Sequence, residues 1–229
     1  MKEPENIKAV IFDLDGTLID SVGDITHSLN YLRGKYDLPP KSLEDVRSYI
    51  GNGIRALIQR GMEGIWTEEN LDSLVKDFRA YYNEHCVEKT VLKPGVAELL
   101  DAVEGKVPMG VVTNKAHDST MRILDAMGLS PRFEYIIGAG VIEGKLKPDP
   151  APLLLCCEKL HVETNKALYV GDLPVDHQTA LNAGVFPAIV AHGAAPVETM
   201  KDLQGGALFE SADMLSQWLL PRLSIHTES

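Results

Sequence analysis

The sequence predicts an α/β protein with a doubly wound parallel sheet and an inserted α-helical domain. Three observations support this prediction. An apolar, β-branched run at residues 9–12 indicates a buried strand. The following region, residues 20–87, has helical patterns and no convincing strand. From residue 93 onward, short apolar strands alternate with helices, which is typical of a parallel sheet with right-handed crossovers.

The first strand ends in a polar turn. The run Ala9-Val10-Ile11-Phe12 is apolar enough to be buried on both faces of a sheet. Asp13 and Asp15 follow it, Gly16 allows the backbone to turn, and Thr17 supplies a hydroxyl. Carboxylates are rarely buried without a partner, and α/β sheets bind ligands at the carboxyl ends of their strands. A bound cation is therefore indicated, although both aspartates could instead point into water.

The inserted region contains four predicted helices, at about residues 21–36, 42–49, 54–62 and 67–86. The second begins with Ser42 and Asp45, which resemble a capping box. The third follows a sharp break at Gly51-Asn52-Gly53. These helices are too polar in pattern to lie inside the sheet. We therefore predict a helical domain, residues 20–87, between the two parts of a core domain, residues 1–19 and 88–229.

The remaining elements are predicted from their apolar periodicity. Strands are expected at residues 107–113, 135–137, 167–170 and 186–191, with a possible edge strand at 207–209. Helices are expected at residues 96–103, 118–127, 151–160, 176–183, 197–203 and 211–219.

Polar residues also lie at the ends of three later strands or in the loops that follow them. Thr113-Asn114-Lys115 supplies a hydroxyl, an amide and a cation, Lys147 precedes a proline, and Gly171 to Asp176 contains two carboxylates around a turn. Each has an ordinary structural explanation, because Thr-Asn and Asp cap helices and loop lysines are usually solvated. Their joint occurrence at the ends of core strands predicts one shared site.

Composition limits the possible partners. The net charge is −11 and no basic cluster stands out, so nucleic acid and anionic membranes are not expected as partners. The start of the chain lacks the apolar segment of a signal peptide. The three cysteines, Cys86 and the pair Cys156-Cys157, form neither a disulfide framework nor a CxxC spacing. We expect a cytoplasmic monomer or homodimer.

These motifs resemble those of a known family. DLDGTL at residues 13–18, Thr113, Lys147 and the GDxxxD pattern at 171–176 match, in order, the four motifs of the haloacid dehalogenase-like hydrolase superfamily, most of whose members are phosphatases. The resemblance covers essentially the whole chain and implies a Rossmann-type core. Helices placed directly after the first motif resemble the cap of the phosphoglycolate phosphatase-like and β-phosphoglucomutase-like branch.

The resemblance also implies catalytic roles. Asp13 would be the nucleophile that forms an aspartyl-phosphate, and Asp15 the general acid and base. Mg²⁺ would be held by Asp13, the backbone carbonyl of Asp15, and Asp172. Asp176 would act on the metal's waters or on Lys147. Thr113 and the Asn114 backbone would bind phosphate oxygens, with Lys147 balancing their charge. Gly16, Thr17 and Lys115 complete the predicted phosphate site.

The cap is expected to select the substrate. The stretches VRSYIGNGIRALI, KPGVAELL, VVTNK and GKLKPDP look like bacterial phosphoglycolate phosphatases, whereas Leu173-Pro174 and residues 191–194 depart from that group. Gly51, Asn52 and Gly53 could approach a ligand, and Arg55 could bind a carboxylate. Alternatively, Arg47 and Arg55 pair with acids of the cap.

The expected substrate is a small anionic phosphomonoester, with 2-phosphoglycolate as the first candidate. A phosphosugar mutase, another phosphatase of the superfamily such as a pyrophosphatase or sugar phosphatase, and a catalytically silent Mg²⁺- or phospho-ligand-binding module are the alternatives. A 2-haloacid dehalogenase needs no metal and usually lacks the second aspartate, so Asp15 argues against it.

Overall fold

The computed structural model describes residues 1–191 and 204–224. Within them, six strands form one sheet: β1 (Ala9–Phe12), β4 (Met109–Ala116), β5 (Tyr135–Ala139), β6 (Ala167–Gly171), β7 (Phe186–Val190) and β8 (Ala207–Phe209). The strands are parallel and follow the order β5-β4-β1-β6-β7-β8. The central position of β1 places the first polar turn between two neighbouring strands.

Four helices form the insertion between β1 and β4, which we call the cap. They are α1 (Val22–Gly34), α2 (Leu43–Arg47), α3 (Gly53–Gly61) and α4 (Leu71–His85). Helix α1 packs against α4, and α3 packs against both. The predicted capping box of α2 is confirmed, because the Ser42 hydroxyl accepts from the Asp45 N–H and the Asp45 carboxylate accepts from the Ser42 N–H.

A short antiparallel ribbon joins the two connections between cap and core. Strand β2 (Ile19–Asp20) pairs with β3 (Val91–Leu92), with Ile19 opposite Leu92. The sequence did not predict these strands, since two residues are too few for a period-2 pattern to be visible. The ribbon lies at residues 19–20 and 91–92, close to the predicted ends of the helical domain, whose boundaries stay a prediction.

Both faces of the sheet are covered. In β1, Val10 and Phe12 belong to a large hydrophobic cluster that continues into the cap, whereas Ala9 and Ile11 belong to a cluster on the other face. This alternation follows from the period of two in a strand. The flanking helices are α5 (Val96–Val103), α6 (His117–Ala126), α7 (Ala151–Lys159), α8 (Pro174–Ala183) and α9 (Ala212–Leu219).

The predicted fold class is confirmed, and most element boundaries agree within a few residues. One strand differs in a way that matters for the site, since β4 extends to Ala116 and therefore contains Asn114 and Lys115, whereas the sequence predicted that this strand ends at Thr113. The pairing register between β4 and β5 shifts between Val112 and Ala116, so these polar residues lie in an irregular part of the strand. The predicted helix at 197–203 lies outside the described residues.

Two further features concern the cysteines and the helices. The three cysteines are free and buried. In the described parts of the chain, no helix combines the length and the apolar character needed to cross a membrane.

Candidate active site

The predicted site residues lie at the carboxyl edge of the sheet, around the end of β1. Phe12 is in register with Val111 of β4 and with Val170 of β6. The N–H of Asp13 donates to the Val170 carbonyl at 2.8 Å, which fixes the first turn beside β6. Because carboxyl ends of parallel strands meet at one edge, four distant segments converge here.

Lys147 lies between two carboxylates. Its Nζ is 2.7 Å from Oδ1 of Asp13 and 2.6 Å from Oδ1 of Asp176, and all three side chains are buried. Burial alone would lower the pKa of Lys147, but the two carboxylates outweigh it and hold this pKa above its usual range. Lys147 is therefore a permanent cation next to Asp13, as its predicted charge-balancing role requires.

Asp176 holds neighbouring groups in place through both of its carboxylate oxygens. Oδ1 binds Lys147 and also accepts from the Tyr169 hydroxyl at 3.3 Å. Oδ2 accepts from the N–H groups of Asp172 and Leu173, at 3.3 Å and 3.0 Å. A Cβ on Gly171 would lie 2.2 Å from the Cβ of Asp176, so only glycine permits this packing. The carboxylate thus fixes both Lys147 and the turn that carries Asp172.

Asp172 is held against the first turn. The Thr17 hydroxyl donates to Oδ1 of Asp172 at 3.0 Å. Gly16 has a φ of +89°, and a Cβ at that position would lie 2.3 Å from Oδ2 of Asp172. Gly16 and Thr17, predicted as part of the phosphate site, therefore contact the Asp172 carboxylate.

The carboxylates form a set that fits a divalent cation. Asp13, Asp172 and Asp176 each offer a buried carboxylate oxygen, and these oxygens lie within 4.8 Å of one another. Burial raises the pKa of Asp13 to about 6, although Lys147 opposes this shift. Burial and the neighbouring carboxylates also raise the pKa of Asp172 well above its usual range. Hard oxygen donors with an uncompensated negative charge suit Mg²⁺.

Asp15 is bound by a second lysine. Lys115 Nζ donates to both of its oxygens, at 3.0 Å and 3.1 Å, and the Ser21 hydroxyl donates to Oδ1 at 2.5 Å. The same ammonium lies 4.8 Å from the ring centre of Tyr82 in the cap. Burial would lower the pKa of Lys115, but Asp15 outweighs it and this pKa is raised. Lys115, predicted as a substrate residue, is paired with Asp15 in this arrangement.

Asn114 links the cap to the Lys147 loop through its side chain. Its Nδ2 donates to the carbonyls of Gly51 and Lys147, at 3.0 Å and 3.2 Å, and its Oδ1 accepts from the Lys147 N–H at 2.7 Å. Neighbouring Thr113 accepts from the Lys115 N–H at 3.2 Å. Asn114 was predicted through its backbone alone, and the bridging role of its amide was not.

The break at residues 51–53 touches the core. Gly51 has a φ of +110°, and a Cβ there would lie 2.4 Å from Cδ1 of Leu173. Gly53 has a φ of +81° and approaches the Asn114 carbonyl. Both glycines line the cavity over Asp13, whereas Asn52 is exposed. At this break, the cap therefore contacts the core through its backbone, since a side chain on either glycine would be strained.

The two arginines beside the break do not reach this cavity. Arg55 is more than half exposed and pairs with Asp72 on the cap surface. Arg47 pairs with Asp20 at 3.2 Å and lines a smaller crevice beside Asp15. Of the two predicted possibilities for Arg55, this arrangement agrees with pairing to an acid of the cap, and its ion pair with Asp72 directs the side chain away from the cavity.

A cavity of about 70 Å³ lies between the cap and the edge of the sheet. Its floor is polar and is formed by Asp13, Asp15, Thr113, Asn114, Lys115, Ser119 and Lys147. Its wall in the cap is apolar and is formed by Ile25, Ile50, Ile54, Leu57, Phe78 and Tyr82.

Three residues of the site were not predicted. Ser21 lies at the start of the first predicted cap helix, Tyr169 has the pattern of a core residue, and Tyr82 lies on the buried face of a cap helix. Tyr169 has the clearest sequence signal, because a tyrosine in a fully buried strand needs a partner for its hydroxyl. That partner is the Val112 carbonyl, at 2.8 Å, together with Asp176.

Comparison with known proteins agrees with this arrangement. A family model described as haloacid dehalogenase-like hydrolase matches residues 10–190. A phosphoglycolate phosphatase from Chromobacterium violaceum is 32% identical over 217 residues, covering 92% of this chain and 97% of its own. A phosphoglycolate phosphatase from Escherichia coli K12 is 32% identical over 251 residues, covering 100% of this chain and 98% of its own.

A solved structure shares the fold. The crystal structure of a protein described as a predicted phosphoglycolate phosphatase from Haemophilus somnus superposes with a TM-score of 0.82 at 31% identity. The similarity covers 93% of this chain and 98% of that one. Both cap and core therefore fall within the shared architecture.

Proposed function

Because the chain belongs to the haloacid dehalogenase-like hydrolase family, in its phosphoglycolate phosphatase-like branch, we propose that it is a Mg²⁺-dependent phosphatase that acts on a small phosphomonoester through an aspartyl-phosphate. Membership of this branch makes it a phosphoric monoester hydrolase. The observation that supports the proposed mechanism best is Asp13, buried at the end of β1 against Lys147 and beside two further carboxylates.

The first step is attack by Asp13. A carboxylate oxygen of Asp13 bonds to phosphorus while the bond from phosphorus to the ester oxygen breaks. Asp15 donates a proton to the departing alkoxide, which leaves as an alcohol. Asp13 and Asp15 are separated by one residue in the same turn, yet each pairs with its own lysine, so the two carboxylates have distinct environments.

The second step releases phosphate. Asp15, now a carboxylate, takes a proton from water as that water bonds to phosphorus, and the bond between phosphorus and Asp13 breaks. Lys147 balances the charge of Asp13 and of the phosphoryl oxygens in both steps. Thr113, at the cavity floor, offers a hydroxyl to a phosphoryl oxygen.

Asp13, Asp172 and the backbone carbonyl of Asp15 would hold Mg²⁺, with Asp176 positioning Lys147 behind them. When bound, the ion reduces the repulsion between the Asp13 carboxylate and an anionic phosphate. The buried, mutually repelling carboxylates support a divalent cation over a monovalent one.

The cap would close over the substrate and exclude water. We assign residues 20–87 to this domain and residues 1–19 and 88–229 to the core. The names of the relatives support a small anionic phosphomonoester, with 2-phosphoglycolate as the first substrate to test. A β-phosphoglucomutase-like mutase would share the core site residues and differ from a phosphatase in its cap. A catalytically silent binding module could keep the same fold.

Phosphate release from a panel of small phosphomonoesters, with Mg²⁺ or with a chelator, tests the proposal. We expect release only with Mg²⁺. Asp13→Asn should reduce the rate at least about a hundredfold without loss of fold, because it removes the nucleophile. Asp101→Asn, which removes an exposed carboxylate, is the control. Rapid isomerisation of a sugar phosphate with little phosphate release would instead identify a mutase, and inactivity on all esters a binding module.

A further inference from the structure

The cavity has its positive charges on the floor and an uncharged wall in the cap. Among the described residues that line it, the cations are Lys115 and Lys147. The arginines nearest to it pair elsewhere, Arg47 with Asp20 and Arg55 with Asp72. A buried anion needs a cation or several hydrogen-bond donors. An anionic group on the leaving alcohol therefore has two candidate partners, and both are lysines of the core.

Lys147 serves the phosphoryl group rather than the leaving alcohol. Its Nζ lies between the carboxylates of Asp13 and Asp176, at 2.7 Å and 2.6 Å. It is therefore beside the attacking oxygen, and in-line displacement places the leaving group on the opposite side of phosphorus. Lys115 remains as the cation for the leaving alcohol.

Lys115 lies next to the place that the ester oxygen must occupy. To receive its proton, that oxygen must come within about 2.6–3.2 Å of the Asp15 carboxyl group. Lys115 Nζ lies 3.0 Å and 3.1 Å from the two oxygens of the same group. A carboxylate attached one carbon away from the ester oxygen therefore falls within reach of this ammonium.

Lys115 has a donor left for such a carboxylate. An ammonium carries three N–H groups, and among the described residues its acceptors are the two oxygens of Asp15. Lys147 shows that one ammonium in this site can bridge two carboxylates. In the proposed first step, Asp15 also holds the proton that it will donate, so the charge of Lys115 is then available to a second anion.

Tyr82 borders Lys115 from the cap side. The centre of its ring is 4.8 Å from Lys115 Nζ, a cation–π contact that holds the ammonium in place. Its hydroxyl is buried and has no hydrogen-bond partner in the part of the chain that the structure describes. A carboxylate bound to Lys115 can also accept from this hydroxyl, which would satisfy a buried donor.

We propose that Lys115 is a specificity-determining residue whose ammonium binds a carboxylate on the leaving alcohol while it stays in contact with Asp15. The inference rests on the proposed phosphatase activity and assigns the residue that selects among small phosphomonoesters. Bound in this way, the alcohol has its ester oxygen beside the proton of Asp15. An uncharged alcohol would lack the charge-assisted hydrogen bond.

A matched pair of substrates tests this inference on the unmodified protein. 2-Phosphoglycolate and 2-phosphoglycolamide differ in one charge and have nearly the same shape. We expect kcat/KM for the acid to exceed that for the amide at least about tenfold. A kcat/KM for the acid equal to or below that of the amide would overturn the inference while leaving the phosphatase proposal intact. No Mg²⁺-dependent release from any ester, p-nitrophenyl phosphate included, would overturn both.

Variants of Lys115 test whether this residue causes the preference. Lys115→Met keeps the length of the side chain without its charge, and the ratio of acid to amide kcat/KM should fall to within about twofold of one. Both substrates need the same proton from Asp15, so a disturbance of Asp15 affects them alike. Lys115→Gln removes the charge but leaves Asp15 a hydrogen-bond donor, and it should lose the preference equally.

Three controls complete the measurement. Lys76→Met removes an exposed lysine of α4 and should leave the ratio unchanged. Arg47→Ala and Arg55→Ala should also leave it unchanged, because both arginines pair outside the cavity. If the preference for the acid persists in both Lys115 variants, or disappears in an arginine variant, another residue binds the carboxylate and the inference is wrong.

Discussion

Gly16 provides a sharp test of how the site is built. Its φ of +89° disfavours any side chain, and a Cβ would lie 2.3 Å from Oδ2 of Asp172. Real Cβ atoms essentially never approach closer than 3.0 Å, so Gly16→Ala must displace the Asp172 carboxylate by about 1 Å. A displacement of that size in a positioning group can cost about a hundredfold in rate. We therefore expect kcat/KM to fall by roughly that factor.

The control for this substitution is Gly140→Ala. Gly140 has a φ of +99°, and among the described residues no atom would lie within 4 Å of a Cβ at this position. The control therefore shares the backbone strain of about 1–2 kcal/mol without the clash. Measuring phosphate release and thermal unfolding of both variants separates displacement from strain. If Gly16→Ala retains kcat/KM within threefold of Gly140→Ala, Asp172 does not need its observed position and the assignment is refuted.

Three further outcomes are expected. Asp15→Ala should slow hydrolysis of alkyl phosphates far more than that of p-nitrophenyl phosphate, whose leaving group needs no proton; equal losses would contradict its acid role. Without metal, burial raises the pKa of Asp13 to about 6, so the protonated side chain stabilises the folded state. This contribution is fully present below the pKa that Asp13 has in the unfolded chain, and it is lost as the pH rises through 6. Added Mg²⁺ should therefore raise the melting temperature more at pH 7.5 than at pH 5, and a larger rise at pH 5 would refute this. Arg79→Ala should raise KM by at most about fivefold, because its pair with Asp118 joins cap to core at a partly exposed position, and charge exchange between the two residues should restore it.

The fold was largely predictable because its signals are local. The buried run at Ala9–Phe12, the alternation that follows the cap and the capping box at Ser42 each depend on neighbouring residues. The ribbon of β2 and β3 was not predictable, since two-residue strands gain their stability from a partner about seventy positions away. Local patterns cannot report such pairings.

The sequence allowed us to predict which residues belong to the candidate site, but not which side chains pair with one another there. The sequence indicated that Asp13, Lys147 and Asp172 belong together because each follows a core strand. It could not show that Lys115 would be bound by Asp15, or that Arg55 would pair with Asp72, because side-chain pairing depends on geometry across elements. The apolar wall that the cap contributes to the cavity could not be predicted either, because Phe78 and Tyr82 have the spacing of ordinary core residues.

The antiparallel ribbon has an evolutionary consequence. Because Ile19 lies opposite Leu92, the chain leaves the core and returns to it at adjacent points. A tight two-residue turn can connect such a pair, so the intervening segment can be shortened, lengthened or exchanged without altering the order of strands in the main sheet. Grafting a different segment between these two points would give a chimaera that keeps its reaction chemistry and acquires another substrate range. The ribbon is thus a ready-made junction at which recombination can diversify the enzyme.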